Sequence, residues 1–324
     1  MNATAAPTKP VILVPGRLHE HAVRRIGETF ELVSIASADP GLVTPALADR
    51  VTGIAAMAVI SADFIDALPK LQIIANFGVG YDGVDAAHAA KRGVMVTNTP
   101  DVLTEEVADT TIGLLLNTLR EFPKAEGWLR DGSWAAKGGY PFTKLTLRGR
   151  HVGIIGMGRI GLAIARRLDG FAVQVSYHNR RQVADVAYEW HPTLLGLASA
   201  VDTLISVAPG GASTDKMVGR EVLEALGPNG VFINIGRGST VDEDALAAAL
   251  TSGTIAAAGL DVFDREPDVR RPILDAPNTC LLPHVGSASA PTRRAMADLC
   301  VDNLISWFQR RVPLTPVPET ASVK

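Results

Sequence analysis

Apolar runs of strand length alternate with helix-like patterns from one end of the chain to the other. In the N-terminal portion, Val11 to Val14, Glu31 to Ile35, Ala55 to Ile60, Gln72 to Phe77 and Val94 to Thr97 predict strands. Helical segments such as Ala62 to Leu68 and Asp85 to Arg92 separate them. That portion reads as one small α/β unit. The pattern stops at a Thr-Pro turn around Asn98 to Asp101. Thr104 followed by Glu105 and Glu106 predicts a helix start, because acidic side chains favour the positive end of the helix dipole. Val107, Ile112, Leu115, Leu116 and Leu119 fall roughly on one face, so this helix is expected to pack between layers.

Residues 121–148 break the rhythm with Pro123, Trp128, Trp134, Gly138, Gly139, Tyr140 and Pro141, and read as an arm that covers the sheet or meets a partner subunit. A second α/β series then opens. Its predicted strands are His151 to Ile155, Val173 to Tyr177, Thr203 to Val207, Val231 to Ile235, Ala256 to Asp261 and Thr279 to Leu282, with a helix over Arg159 to Leu168. Units of this kind build a largely parallel, doubly wound sheet. A last helical stretch, Ala290 to Arg311, is expected to cross back to the first unit.

With 324 residues, 47% of them hydrophobic and 20% charged, the chain has enough apolar material for two compact domains. A net charge of −3 offers no general attraction to nucleic acid or an anionic membrane, so any anion site must be local. Cys280 and Cys300 are too few for a disulfide framework or a metal cluster, and both are expected to be reduced and buried. No metal site is predicted. The apolar run Val11 to Val14 is too short for a signal-peptide core, and no uncharged run approaches the ~18 residues a membrane helix needs, so a cytoplasmic location is expected.

The chemistry begins at Gly156-Met157-Gly158-Arg159-Ile160-Gly161. A GxGxxG turn is weak evidence alone, but here a strand runs into it and a helix pattern leaves it. Gly156 permits the tight turn, Gly158 lets a pyrophosphate approach the backbone, and Gly161 allows close helix packing. An acidic residue about 20 positions on would bind the ribose 2′-hydroxyl of NAD. Instead the next strand ends in Asn179-Arg180-Arg181, where guanidinium groups suit a 2′-phosphate, so NADP(H) is expected over NAD(H).

Three polar residues follow in order beside strand-like runs: Arg237 in INIGRG, Glu266 in LDVFDREP and His284 in LLPHVGSAS. A 2-oxo acid needs its carboxylate held and its carbonyl oxygen protonated as hydride arrives at the carbon. Arg237 can bind the carboxylate and polarise the carbonyl. His284 can exchange a proton near neutral pH, and Glu266 would hold its tautomer and favour its charged form. The backbone N–H groups of Val79 and Gly80, in a glycine-rich turn after a strand, would complete the carboxylate grip.

The chain resembles the D-2-hydroxyacid dehydrogenase family, and within it the glyoxylate/hydroxypyruvate reductases. The motifs that carry the resemblance span nearly the whole chain: FGVGYDGVD from Phe77, NTPDVLTEEVADTTIGLLL from Asn98, LRGRHVGIIGMGRIG from Leu147, INIGRGSTVDEDAL from Ile233, GLDVFDREP from Gly259 and LLPHVGSAS from Leu281. The resemblance implies two Rossmann-like domains: a flavodoxin-like substrate domain from residues 1–99 and 288–324, and a doubly wound NAD(P)-binding domain over 100–287. It also implies an active-site cleft between them and a homodimer, with an arm at about 121–148. It assigns Arg237, Glu266 and His284 the catalytic roles just described. It places Val207 and Pro209 along the adenine side of the cofactor, Thr214, Ile235 and Gly236 under the nicotinamide ribose, and Asp261 at the carboxamide.

The small residues around Met57, at the start of the family's substrate loop, suit glyoxylate, hydroxypyruvate or pyruvate better than a bulky aromatic acid. The expected activity is NADPH-dependent reduction of such acids to D-2-hydroxy acids, with NAD(H) as an alternative cofactor. Rival readings are a 2-ketogluconate reductase, a phosphoglycerate dehydrogenase, or a non-catalytic NAD(P)-sensing protein similar to the family's corepressors.

Overall fold

The computed structural model describes residues 9–323 and divides the chain into two compact units, Met1–Leu103 with Ser289–Lys324, and Thr104–Ala288. In the first unit, five strands form one sheet: β1 (Val11–Pro15), β2 (Glu31–Ile35), β3 (Val51–Ala56), β4 (Ile73–Asn76) and β5 (Met95–Thr97). Their order is β2-β1-β3-β4-β5 and every pairing is parallel. This is the flavodoxin-like order, in which the direction of winding reverses between β1 and β3. All five residues of β1 are buried, as expected of a strand covered on both faces. The long helix Ala290–Arg310 packs in this unit against β4 and the helix Glu20–Thr29.

The predicted strand at Ala55 to Ile60 starts and ends earlier, at Val51–Ala56. Thr52 and Gly53 dilute its apolar start, while Met57 and Val59 are apolar yet 57% and 70% exposed on the loop beyond it. That loop is tied to the turn after β4: Ile60 donates to the carbonyl of Gly83, and Asp85 donates back to Ile60. Asp85 then caps the next helix by accepting from His88 N–H.

The second unit holds seven strands: β6 (His151–Ile155), β7 (Gln174–His178), β8 (Glu189–His191), β9 (Thr203–Ser206), β10 (Val231–Asn234), β11 (Ala257–Leu260) and β12 (Thr279–Leu281). Their order is β12-β11-β10-β9-β6-β7-β8, again wholly parallel, with the winding reversing between β6 and β9. The helix Thr104–Arg120 opens the unit and packs on Arg159–Asp169. Residues 121–148 are less irregular than their composition suggests, since they contain the helices Phe122–Arg130 and Ser133–Lys137. Arg150, only 8% exposed, anchors β6 by donating to Thr203 Oγ1 and the carbonyls of Asp202 and Asn229. Cys280 and Cys300 are both free and buried.

Candidate active site

Every sequence-predicted site residue except Val79 and Gly80 belongs to the second unit, at the carboxyl ends of its strands, where open α/β sheets bind ligands. The glycine turn leaves β6 and enters the helix Arg159–Asp169, whose start at Gly158 has no side-chain cap. Gly156 has φ +99°, a conformation costly for other residues. A Cβ at Gly161 would lie 2.1 Å from the Gly156 carbonyl oxygen, so the helix and the turn touch through the absent side chain. A Cβ at Gly158 would meet nothing within 4 Å, so open space adjoins the uncapped helix start. These features fit a dinucleotide pyrophosphate. Gly161→Ala is expected to cost at least ~1–3 kcal/mol through overpacking and to abolish NADPH binding, as measured by thermal unfolding and cofactor fluorescence.

At the end of β7, Asn179 accepts from Met157 N–H at 2.6 Å, so its oxygen closes the glycine turn. Arg180 and Arg181 are exposed beside it. The strand β8, which the sequence patterns do not reveal, braces this edge. Trp190 Nε1 donates to the Asn179 carbonyl at 3.1 Å, and His178 Nδ1 donates to the His191 carbonyl at 2.9 Å. Farther along, Val207 is half-buried and Pro209 exposed, while the Thr214 hydroxyl donates to the Pro209 carbonyl at 2.7 Å and closes its own loop.

After β10, Asn234 brackets the turn that carries Arg237. Its side-chain oxygen accepts from Gly236 N–H at 3.1 Å, and its amide donates to the Arg237 carbonyl at 2.9 Å. Ile235 and Gly236 are buried here, and Arg237 Nη1 donates to the Gly236 carbonyl at 2.8 Å. After β11, Glu266 Oε1 accepts from Phe263 N–H at 2.9 Å and Oε2 meets His284 Nδ1 at 2.6 Å. A carboxylate in its ionised form only accepts, so Nδ1 carries the hydrogen in this pair. Burial pushes the Glu266 carboxyl up. The His284 hydrogen bond, the Phe263 N–H and the charges of His284 and Arg237 outweigh it, and the group settles below the ordinary carboxylate range. The three predicted catalytic residues thus act on one another electrostatically.

His284 itself sits at φ +53°, a strained position for a residue other than glycine. Asp261 holds it there. The Asp261 carbonyl accepts from His284 N–H at 2.9 Å, and its two carboxylate oxygens accept from Val285 and Gly286 N–H at 2.7 and 2.8 Å. Burial raises the Asp261 carboxyl despite these two donors. No sequence motif marks Glu243, whose side chain is 3% exposed. It accepts from Asp264 N–H at 2.8 Å and so secures the loop that carries Glu266. Its place in a helix-start pattern resembles any acidic first-turn residue, and only the tertiary contact sets it apart.

Residues 112–286 match the family described as "D-isomer specific 2-hydroxyacid dehydrogenase, NAD binding domain". The chain belongs to this family. Among its relatives, the hydroxyphenylpyruvate reductase of Plectranthus scutellarioides is 47% identical over 258 residues, covering 79% of this chain and 81% of that protein. The glyoxylate reductase of Thermococcus onnurineus is 37% identical over 321 residues, covering 95% and 96%. Among solved structures, an NADPH-dependent glyoxylate/hydroxypyruvate reductase of Sinorhizobium meliloti, in complex with NADP and malonate, is 58% identical with a TM-score of 0.95, covering 97% of this chain and 98% of that one.

Proposed function

We propose that this chain is an NADPH-dependent reductase of small 2-oxo acids, with glyoxylate and hydroxypyruvate as substrates and glycolate and D-glycerate as products. The observation that carries this reading is the Glu266–His284 pair at 2.6 Å with the Arg237 charge beside it, in the same unit as the glycine turn and the exposed Arg180–Arg181 edge. The likeness to the S. meliloti enzyme supports both the cofactor and the substrate class.

NADPH, when bound, supplies the hydride. Arg237 is the second unit's candidate for the substrate carboxylate, and the N–H groups of Val79 and Gly80 are the first unit's. The guanidinium also draws charge onto the carbonyl oxygen. The imidazolium of His284 would deliver its Nε2 proton to that oxygen, which becomes the hydroxyl group of the product. Nδ1–H stays on Glu266 throughout, so the same tautomer is regenerated. Val207, Pro209, Thr214, Ile235, Gly236 and Asp261 line the cofactor's path in this reading. Among the described residues no helix is long and apolar enough to cross a membrane. The arm presents Trp134 at 62% exposure and Phe142 at 101%, a surface suited to a homodimer contact.

The test is oxidation of NADPH and of NADH by the purified protein with glyoxylate, hydroxypyruvate, pyruvate, phenylpyruvate and 2-ketogluconate. Fast turnover of glyoxylate or hydroxypyruvate with NADPH is expected; preference for phenylpyruvate or 2-ketogluconate would reassign the substrate. Replacing both Arg180 and Arg181 with Ala is expected to lower kcat/KM for NADPH by about 10- to 100-fold, the scale of one to two charge-assisted phosphate contacts, with little change for NADH. Equal losses with both cofactors would remove the arginines from 2′-phosphate recognition.

A further inference from the structure

The turn after β4 carries three consecutive carbonyls that are all tied down by side chains. Asn76 Nδ2 donates to the Gly78 carbonyl at 3.1 Å and to the Gly80 carbonyl at 2.9 Å. Asn98 Nδ2 donates to the Val79 carbonyl between them at 2.8 Å. A trans peptide is planar, with its C=O and N–H pointing in opposite directions. The carbonyl of Gly78 therefore fixes the N–H of Val79, and the carbonyl of Val79 fixes the N–H of Gly80. No group among the described residues accepts from either of these N–H groups.

Asn76 is 7% exposed and ends β4, so it is as rigid as the sheet. Asn98 is held from behind. Its N–H donates to the Thr315 carbonyl at 3.2 Å, and its own carbonyl accepts from Thr315 Oγ1 at 2.6 Å. Thr315 is in turn gripped by Asn303, which is fully buried. The Asn303 oxygen accepts from the N–H of Leu314 and of Thr315 at 3.0 Å each, and its amide donates to Thr315 Oγ1 at 2.9 Å. A continuous set of hydrogen bonds thus runs from the last helix through the C-terminal segment to the Val79–Gly80 peptide.

From this geometry we infer that Asn76 and Asn98 are positioning residues for the substrate carboxylate: they hold the Val79 and Gly80 N–H groups aimed together before substrate arrives. The inference rests on the reading that those two N–H groups grip the carboxylate. An accepted hydrogen bond at each carbonyl also polarises the peptide and strengthens the donor at its far end. Donors aligned in advance need no reordering on binding, so their loss should appear in substrate affinity.

The experiment compares glyoxylate with its methyl ester, which keeps the reacting carbonyl and lacks the negative charge. The native protein is expected to favour glyoxylate strongly. Asn98→Ala is expected to raise KM for glyoxylate about 10-fold, the scale of one lost hydrogen bond, with KM for the ester and the NADPH dissociation constant unchanged. Asn98→Asp, which sets an acceptor against the Val79 carbonyl, is expected to do worse. Thr315→Val, remote from the turn, should shift the same KM in the same direction by less, and decides the matter if the Asn98 variants do not fold. Equal rises for glyoxylate and ester, or no change in either, would overturn the positioning role while leaving the reductase reading intact. A native protein that turned over the ester as well as glyoxylate would instead remove the carboxylate grip itself.

Discussion

Replacing His284 with Gln is expected to lower turnover of glyoxylate by about 10²-fold or more, with the NADPH dissociation constant unchanged. Gln preserves much of the shape and a hydrogen-bonding end, but it has no proton to deliver at neutral pH. The carbonyl oxygen must then take its proton from water while negative charge builds on it. Cofactor binding should survive because the glycine turn and the Arg180–Arg181 edge share no hydrogen bond with His284. Stopped-flow measurement of NADPH oxidation, with a parallel fluorescence titration, separates the two. Near-native turnover would mean that another group donates the proton.

A Glu266→Gln variant sharpens this test. The amide oxygen can still accept from Nδ1, so the ring keeps its orientation, but the negative charge is gone. Without that charge kcat for glyoxylate is expected to fall by about 10-fold, the scale of one charge-assisted hydrogen bond, at every pH above the lowered Glu266 value. The acid side should be quiet in the native protein. Glu266 lies below the ordinary carboxylate range, so its charge is retained as pH falls until that lowered value is reached. Unchanged turnover in Glu266→Gln would show that Glu266 acts only as a spacer.

Much of this arrangement is legible in the sequence, and the reason is local. The glycine turn announces itself because a strand, a turn and a helix are contiguous from His151 to Asp169. Arg237, Glu266 and His284 each follow a short apolar strand, and three strands in parallel register put their ends together. What stays hidden is support supplied from far along the chain. Glu243 reaches Asp264, 21 residues on, and Thr315 reaches Asn98 across 217 residues. The strand Glu189–His191 stays hidden because it is a three-residue edge with a polar residue at each end, and it gains its identity only by pairing with β7. The exposed Met57 and Val59 mislead in the opposite sense. An apolar pair on a loop mimics strand periodicity, and here it marks a surface left uncovered within its own unit.

Arg237→Ala is expected to reduce kcat/KM for glyoxylate by about 10³-fold, through both a higher KM and a lower kcat. Two losses combine. The carboxylate gives up a charge-assisted, bidentate partner, which raises KM. The carbonyl oxygen loses a cation that strengthens its hold as negative charge develops, which lowers kcat. Glu266 also loses a neighbouring positive charge, so its carboxyl should rise from its lowered position. Arg237→Lys distinguishes charge from geometry. Lysine restores one positive charge but not the planar fork, so it should recover Glu266 and part of kcat while KM stays high. Steady-state kinetics on the two variants, with NADPH held saturating, reads the split directly. If Lys restores KM fully, Arg237 acts as a point charge and the bidentate grip is wrong. If Ala leaves KM unchanged, the carboxylate is held elsewhere in the protein.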